Sequence, residues 1–418
     1  MSKSIQIIKE DSKYLMQSFK RWYPLVIDHA KGSIIYDVDG KEYIDMNSGI
    51  GVMALGHGNE KIINAIKEQM SNFFHYSLTD FYYELAVDVA KKLTSFLPFS
   101  SKVFYTNSGT ESVEAAMKIA RWYTKRQYII GFINSFHGRT LGSLGLTSSK
   151  TVQRRGFSPL LPSTLLLPYP DSRNPLLKDD PVNRLMEYIE DWIFEKVVDP
   201  NEVAAIFFEP IQGEGGVIIP PEDFVKELRR VTYKHGILLV VDEVQTGIGR
   251  TGKMFGFENF DIMPDIICLA KALGGGLPLG AVVGRSEIMT LPLGSHANTF
   301  GGNPLALAAS KVVLEEVPKL LDRVNYLGKE IIDELNNSKS PYVYDVRGKG
   351  LMIGVELRKN GKAFVDGLER VLMCSFNRGV LPIGAGESVV RLLPPLVIEE
   401  ELANKGTRVI REEIDKLR

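Results

Sequence analysis

Three ionisable residues each follow a short apolar run: Glu209 after VAAIFF, Asp242 after ILLVV and Lys271 after IICLA. Runs of that length and character read as strands covered on both faces. In open α/β sheets, ligands bind beyond the carboxyl ends of the strands. A single charge at such an end is ordinarily a satisfied loop residue. Three from separate strands converging on one edge point to a site. Lys271 lies between the strand that holds Cys268 and the run ALGGGLPLG, which leaves it little room to reach solvent. A desolvated lysine has a depressed pKa, and its neutral amine is a nucleophile suited to a carbonyl. The plain alternative is an exposed loop lysine.

Asp242 stands one strand–helix unit before Lys271. A lysine for an aldehyde and a carboxylate for a heterocyclic nitrogen are the pair that pyridoxal phosphate requires. Its phosphate needs a cradle, and TNSGTESVEAAMKIAR offers one: VFYT leads into Ser108-Gly109-Thr110-Glu111 and then a helical pattern. Ser108 and Glu111 have capping-box spacing. A glycine turn at a helix N-terminus presents free N–H groups and the positive dipole end to an anion. An ordinary capped helix fits that segment equally well.

The elements that must position these residues read as strands at 103–106, 128–133, 203–208, 237–241, 266–270 and 281–284. Helical patterns intervene at 60–70, 111–126 and 222–235, which argues for an α/β fold with a largely parallel sheet. Residues 1–55 and roughly 315–418 carry weaker patterns, with a long helical stretch near 317–337, and read as a smaller α+β domain built from both termini. The segment DEVQTGIGRTGKM holds Gly247, Gly249 and Gly252 at dinucleotide-fingerprint spacing and is nearly a phosphate-binding P-loop. Met254 follows Lys253 where a P-loop needs Ser or Thr, and no helical period follows the glycines, so it reads as a glycine-rich loop.

Composition narrows the function classes. The 418 residues carry 50 basic and 51 acidic side chains, a net charge of −1, which lacks the signature of a nucleic-acid binder. Two cysteines, Cys268 and Cys374, exclude a disulfide scaffold and any cysteine-based zinc cluster. No metal site is expected from the six histidines either. No apolar run approaches a bilayer span, and the N-terminus lacks the apolar core of a signal peptide, so a cytoplasmic enzyme is expected.

Eight segments stand in one order: NSGIGVMALGHGN, YTNSGTESVEAAMKIAR, NSFHGRTLG, FFEPIQGEGG, VVDEVQTGIGRTGKMF, AKALGGGLPLGAVVG, NTFGGNPLALAA and VRLLPP. They resemble the class III, fold-type I pyridoxal-phosphate aminotransferases across nearly the whole chain. The resemblance implies an α/β fold with a large domain at 59–314 around a mostly parallel seven-stranded sheet. A smaller α+β domain would come from 1–58 and 315–418. It implies Lys271 as the lysine that bonds the cofactor and shuttles protons, and Asp242 as the partner of the ring nitrogen. Gln245 would hold the ring hydroxyl, Val244 and Phe136 the two ring faces, and Ser108, Gly109 and Thr110 the phosphate. Thr299 would reach a partner subunit's phosphate, which implies a homodimer with shared sites, with pairing into a tetramer left open. For substrate, Arg391 would grip an α-carboxylate, Glu209 would pair with Arg391 when that carboxylate is missing, and Arg139 would take the distal carboxylate. Ile50 would limit the substrate channel, His137 would have no catalytic part, and Glu214 would order its loop.

The implied reaction is ping-pong amine transfer from an ω-amino acid to 2-oxoglutarate. The segment between Arg139 and Glu209, with PYPDSRNPLLKDD and an added helix near 184–197, favours 4-aminobutyrate as donor. Ornithine or acetylornithine aminotransferase and an amino-acid racemase are the alternatives.

Overall fold

The computed structural model describes residues 2–171, 174 and 177–418. Its central sheet has seven strands in the order Ser101–Thr106, Gly280–Arg285, Ile266–Leu269, Leu238–Asp242, Val203–Phe208, Tyr128–Phe132 and Thr164–Leu167. Five neighbouring strands run parallel, and Gly280–Arg285 is antiparallel to both of its neighbours. Every residue of Val203–Phe208, Leu238–Asp242 and Ile266–Leu269 is buried. That is why these runs are apolar throughout and do not alternate.

The expected strands are present within one or two residues at their ends. The seventh, Thr164–Leu167, has no counterpart in the sequence reading. It is an edge strand, only Leu167 is buried, and its apolar run follows a proline-containing loop. Helix Glu222–His235 covers the sheet with Phe224, Val225, Leu228 and Val231. Burying such side chains stabilises by about 1.5–3 kcal/mol each. The added helix is Pro181–Glu187, followed by a π-helical stretch Tyr188–Ile193 and the short turn Phe194–Lys196. Residues 172, 173, 175 and 176 of the preceding segment lie outside the described residues.

The two chain ends meet. Ile27–Lys31, Ile34–Asp37 and Glu42–Asp45 form a sheet completed by Val380–Leu381, with Val380 opposite Ile44. Val343–Lys349, Met352–Lys359, Ile383–Ala385 and Val389–Leu392 form another, joined by Lys362–Ala363. This second sheet carries Arg391.

The glycine-rich segment after Asp242 remains a buried loop. Gly249 packs on Val317 and Leu396, Lys253 points to solvent, and only a 3-10 turn, Gly256–Phe260, follows. Nothing there forms the helix N-terminus that a dinucleotide or P-loop site needs. Among the described residues, no helix is long and apolar enough to cross a membrane.

Candidate active site

A cavity of about 620 Å³ opens at the carboxyl edge of the central sheet. Asp242 ends one strand, Glu209 immediately follows another, and Lys271 lies two residues beyond a third, so all three reach its wall. Lys271 has φ 45°, a left-handed conformation unusual for a residue with a side chain. Its Nζ donates to Gln245 Oε1 at 3.2 Å. Burial, aided by the Arg391 guanidinium, pulls its pKa down from 10.5 to about 8, against the opposing pull of Asp242, Glu209 and Glu214.

Asp242 Oδ1 accepts from the Val244 N–H at 3.0 Å, and Oδ2 lies 2.7 Å from His137 Nδ1. His137 is fully buried, and its Nε2 has no hydrogen-bond partner among the described residues. Burial works against a charge on this imidazole, yet Asp242 and the nearby Glu209 hold its pKa above the ordinary value. From the sequence alone His137 has no catalytic part. Its place beside Phe136 in the loop facing the Asp242 strand was the available signal.

Helix Gly109–Thr124 begins at the cavity wall. The Glu111 N–H donates to Ser108 Oγ at 3.4 Å, while Glu111 Oε2 accepts from the N–H of Asn107 at 2.7 Å. The capping box is therefore closed one residue early. The first-turn N–H groups of Gly109 and Thr110 have no acceptor within the helix. Thr110 Oγ1 also bonds the hydroxyls of Thr140 and Ser143 at 2.8 and 2.7 Å. A Cβ on Gly109 would lie 2.8 Å from Val244 Cγ1, so only glycine lets the helix start approach Val244 this closely. Val244 and Phe136 both line the cavity.

Ile50 lies at the cavity in a run of four positive φ values, from Ser48 (47°) to Gly51 (79°). Buried Asp45 fixes the turn by accepting from the N–H groups of Asn47 and Ser48 at 2.9 and 2.7 Å. The Ile50 carbonyl in turn accepts from Gln245 Nε2 at 3.4 Å.

The charge pairing differs from the expected one. Arg391, only 2% exposed, pairs with Glu214 and not with Glu209: its Nη2 lies 3.3 Å from Glu214 Oε2. Glu214 Oε1 is also 2.7 Å from Lys150 Nζ. Burial raises the Glu214 pKa, but Arg391 and Lys150 outweigh it and hold the carboxyl below the usual range. Glu209 instead turns back to accept from the N–H groups of Phe136 and Gly213 at 2.8 and 2.9 Å. Loop N–H groups held away from water need such acceptors. Burial lifts the Glu209 pKa to about 7. Arg139 lines the same cavity with its guanidinium 4.7 Å from the Phe136 ring and has no ion pair among the described residues. Thr299 is exposed and is not among the residues that line the cavity. Among the described residues, no group of three or more His, Cys, Asp or Glu could hold a metal ion.

Residues 16–414 match the family model described as aminotransferase class-III. The chain belongs to the class-III aminotransferase family. This aminotransferase is 41% identical to an acetylornithine aminotransferase of Aquifex aeolicus, over 96% of this chain and 99% of the relative. It is 39% identical to an alanine/serine racemase of Pyrococcus horikoshii, over 98% of this chain and 90% of the relative. It superposes with TM-score 0.88 on the ornithine aminotransferase of Toxoplasma gondii, whose active site holds PLP at partial occupancy. That match has 30% identity and covers 98% and 94% of the two chains. The cofactor is pyridoxal 5′-phosphate. The cavity of this class-III aminotransferase fits it: one wall offers an amine, another a carboxylate, and a third the N-terminus of a 16-residue helix.

Proposed function

We propose that this enzyme moves the terminal amino group of an ω-amino acid to 2-oxoglutarate, with N-acetylornithine the preferred donor. The observation that carries this is the arrangement of two arginines in one cavity: Arg391 is covered by Glu214, while Arg139 has no ion pair among the described residues. A donor with one carboxylate and a distant amine leaves the Glu214–Arg391 pair intact and places its carboxylate on Arg139. A dicarboxylic acceptor engages both guanidinium groups, whose planar forks suit carboxylates. The 4-aminobutyrate molecule meets the same geometric demand. The names of the relatives favour N-acetylornithine over it.

In this reading Lys271 would hold the cofactor's aldehyde end, and Asp242, held by His137, would keep its ring nitrogen protonated. Gln245 lies beside the lysine, Phe136 and Val244 would flank the ring, and Ser108, Gly109 and Thr110 would hold the phosphate. Bound pyridoxal phosphate supplies an electron sink for the carbanion formed at the substrate carbon. Lys271 Nζ takes the proton from the carbon that bears the nitrogen, which its lowered pKa favours near neutral pH. Ile50 narrows the entrance. Thr299 completes the site of a second copy. The exposed aromatic cluster of Phe74, Tyr76, Phe81, Tyr82 and Phe300 supports that dimer, because Thr79 Oγ1 donates to the Asn298 carbonyl and His75 packs on Phe300.

A donor panel of N-acetylornithine, ornithine and 4-aminobutyrate with 2-oxoglutarate tests the reading. Glutamate should form fastest from N-acetylornithine. The second reading, an amino-acid racemase, is favoured by the 39% identical relative named alanine/serine racemase. Interconversion of alanine enantiomers without glutamate from any of the three donors would replace the first reading with the second.

A further inference from the structure

We propose that Lys150 is a specificity-determining residue that receives Glu214 whenever a substrate carboxylate occupies Arg391. One cavity could then serve amino donors and dicarboxylic acceptors in turn. The inference rests on the proposed reading of Arg391 as a carboxylate site.

Glu214 uses its two oxygens on two different cations. The Lys150 contact is the shorter, 2.7 Å against 3.3 Å to Arg391. The three groups also form a path of rising exposure: side-chain exposure goes from 2% at Arg391 through 23% at Glu214 to 31% at Lys150, which lines a neighbouring cavity and not the site itself. The Glu214 backbone is anchored, since its carbonyl accepts from the Gly386 N–H at 2.8 Å and the next carbonyl, of Gly215, accepts from Asn134 Nδ2 at 2.9 Å. The side chain is therefore the part free to swing. Arg391 holds donors in reserve, because its Nε is buried and has no hydrogen-bond partner among the described residues.

Charge counting gives the role. With an ω-amine donor bound, Arg391 needs an anion from the protein, since an unpaired buried guanidinium is strongly unfavourable. Glu214 supplies it while keeping its bond to Lys150. With a dicarboxylate bound, the substrate neutralises Arg391, and Glu214 would be a second carboxylate against the same guanidinium. Lys150 is the cation already in contact that can take it. A lysine at the outer end of the path lets Glu214 leave Arg391 without becoming unpaired.

The experiment uses the cofactor-loaded enzyme and the variants Lys150→Met, Lys150→Arg and Arg391→Lys. Two quantities are measured: the kinetic constants of each half-reaction, and the Kd of glutarate, a non-reacting dicarboxylate, by calorimetry. A charge-assisted hydrogen bond of this kind corresponds to about a tenfold change. Lys150→Met should raise the 2-oxoglutarate KM and the glutarate Kd about tenfold. It should leave kcat/KM for the ω-amine donor within about twofold. Lys150→Arg should restore most of the loss. Equal loss in both half-reactions, or unchanged glutarate binding in Lys150→Met, overturns the proposal. Glutarate binding that also survives Arg391→Lys overturns the reading of Arg391 together with it.

Discussion

Lys271 shows how a residue can be poor for the fold and right for the chemistry. Its φ of 45° and its surroundings both oppose the folded state. With its pKa lowered to about 8, the folded chain binds fewer protons here than the unfolded chain between about 8 and 10.5. The penalty is fully present below pH 8 and fades as the pH rises toward 10.5. Lys271→Met should therefore stabilise the cofactor-free protein at pH 7 by ~1–3 kcal/mol while abolishing amine transfer. Urea unfolding at pH 7 checks this, and a loss of stability would contradict it. Glu209 and Glu214 teach a second lesson at this scale. Both glutamates flank the same turn in FFEPIQGEGG, and type and spacing do not say which one reaches Arg391. The choice followed from backbone geometry. Glu209 is occupied by two N–H groups, and Glu214 is left to face the cations.

At the scale of elements, apolar strands with an ionisable residue at the carboxyl end were legible because burial on both faces demands near-continuous apolar runs. Helix Glu222–His235 was legible from end to end for the corresponding reason, a one-sided apolar stripe. The edge strand Thr164–Leu167 was not, since a half-exposed four-residue run has no distinctive period. The start of helix Gly109–Thr124 makes a testable point. Overpacking a tight contact costs about 1–3 kcal/mol, so Gly109→Ala, whose Cβ would press on Val244, should weaken pyridoxal phosphate binding roughly tenfold. Fluorescence titration of the cofactor-free variant checks this, and an unchanged Kd would show that Val244 yields without effect.

The whole molecule raises the matter of Thr299, which lies on an exposed aromatic surface and outside the cavity of its own chain. Contiguous apolar surface of this kind marks an interaction site. The cofactor-loaded protein should sediment as a homodimer, and Thr299→Ala should lower its affinity for pyridoxal phosphate without changing the dimer. Monomeric protein with full activity would remove Thr299 from the site. The meeting of the chain ends, with Val380–Leu381 completing the N-terminal sheet, also belongs to this scale. Weak patterns at both ends suggested a shared unit, but strand pairing across more than three hundred residues leaves no local mark in sequence.

The sequence by itself determined the chemistry on offer. An apolar-flanked lysine, an aspartate at the end of the preceding strand and a glycine-opened helix are local features, and local features survive in one dimension. Eight ordered segments fixed the family in the same way. Tertiary structure alone decided the partners. It put His137 behind Asp242, gave Glu214 to Arg391, and set Lys150 on the other oxygen of the same carboxylate. Those pairings depend on distances of a few ångströms between residues from separate elements. Charge is long-ranged enough to be felt throughout the cavity, but only packing settles which carboxylate touches which cation.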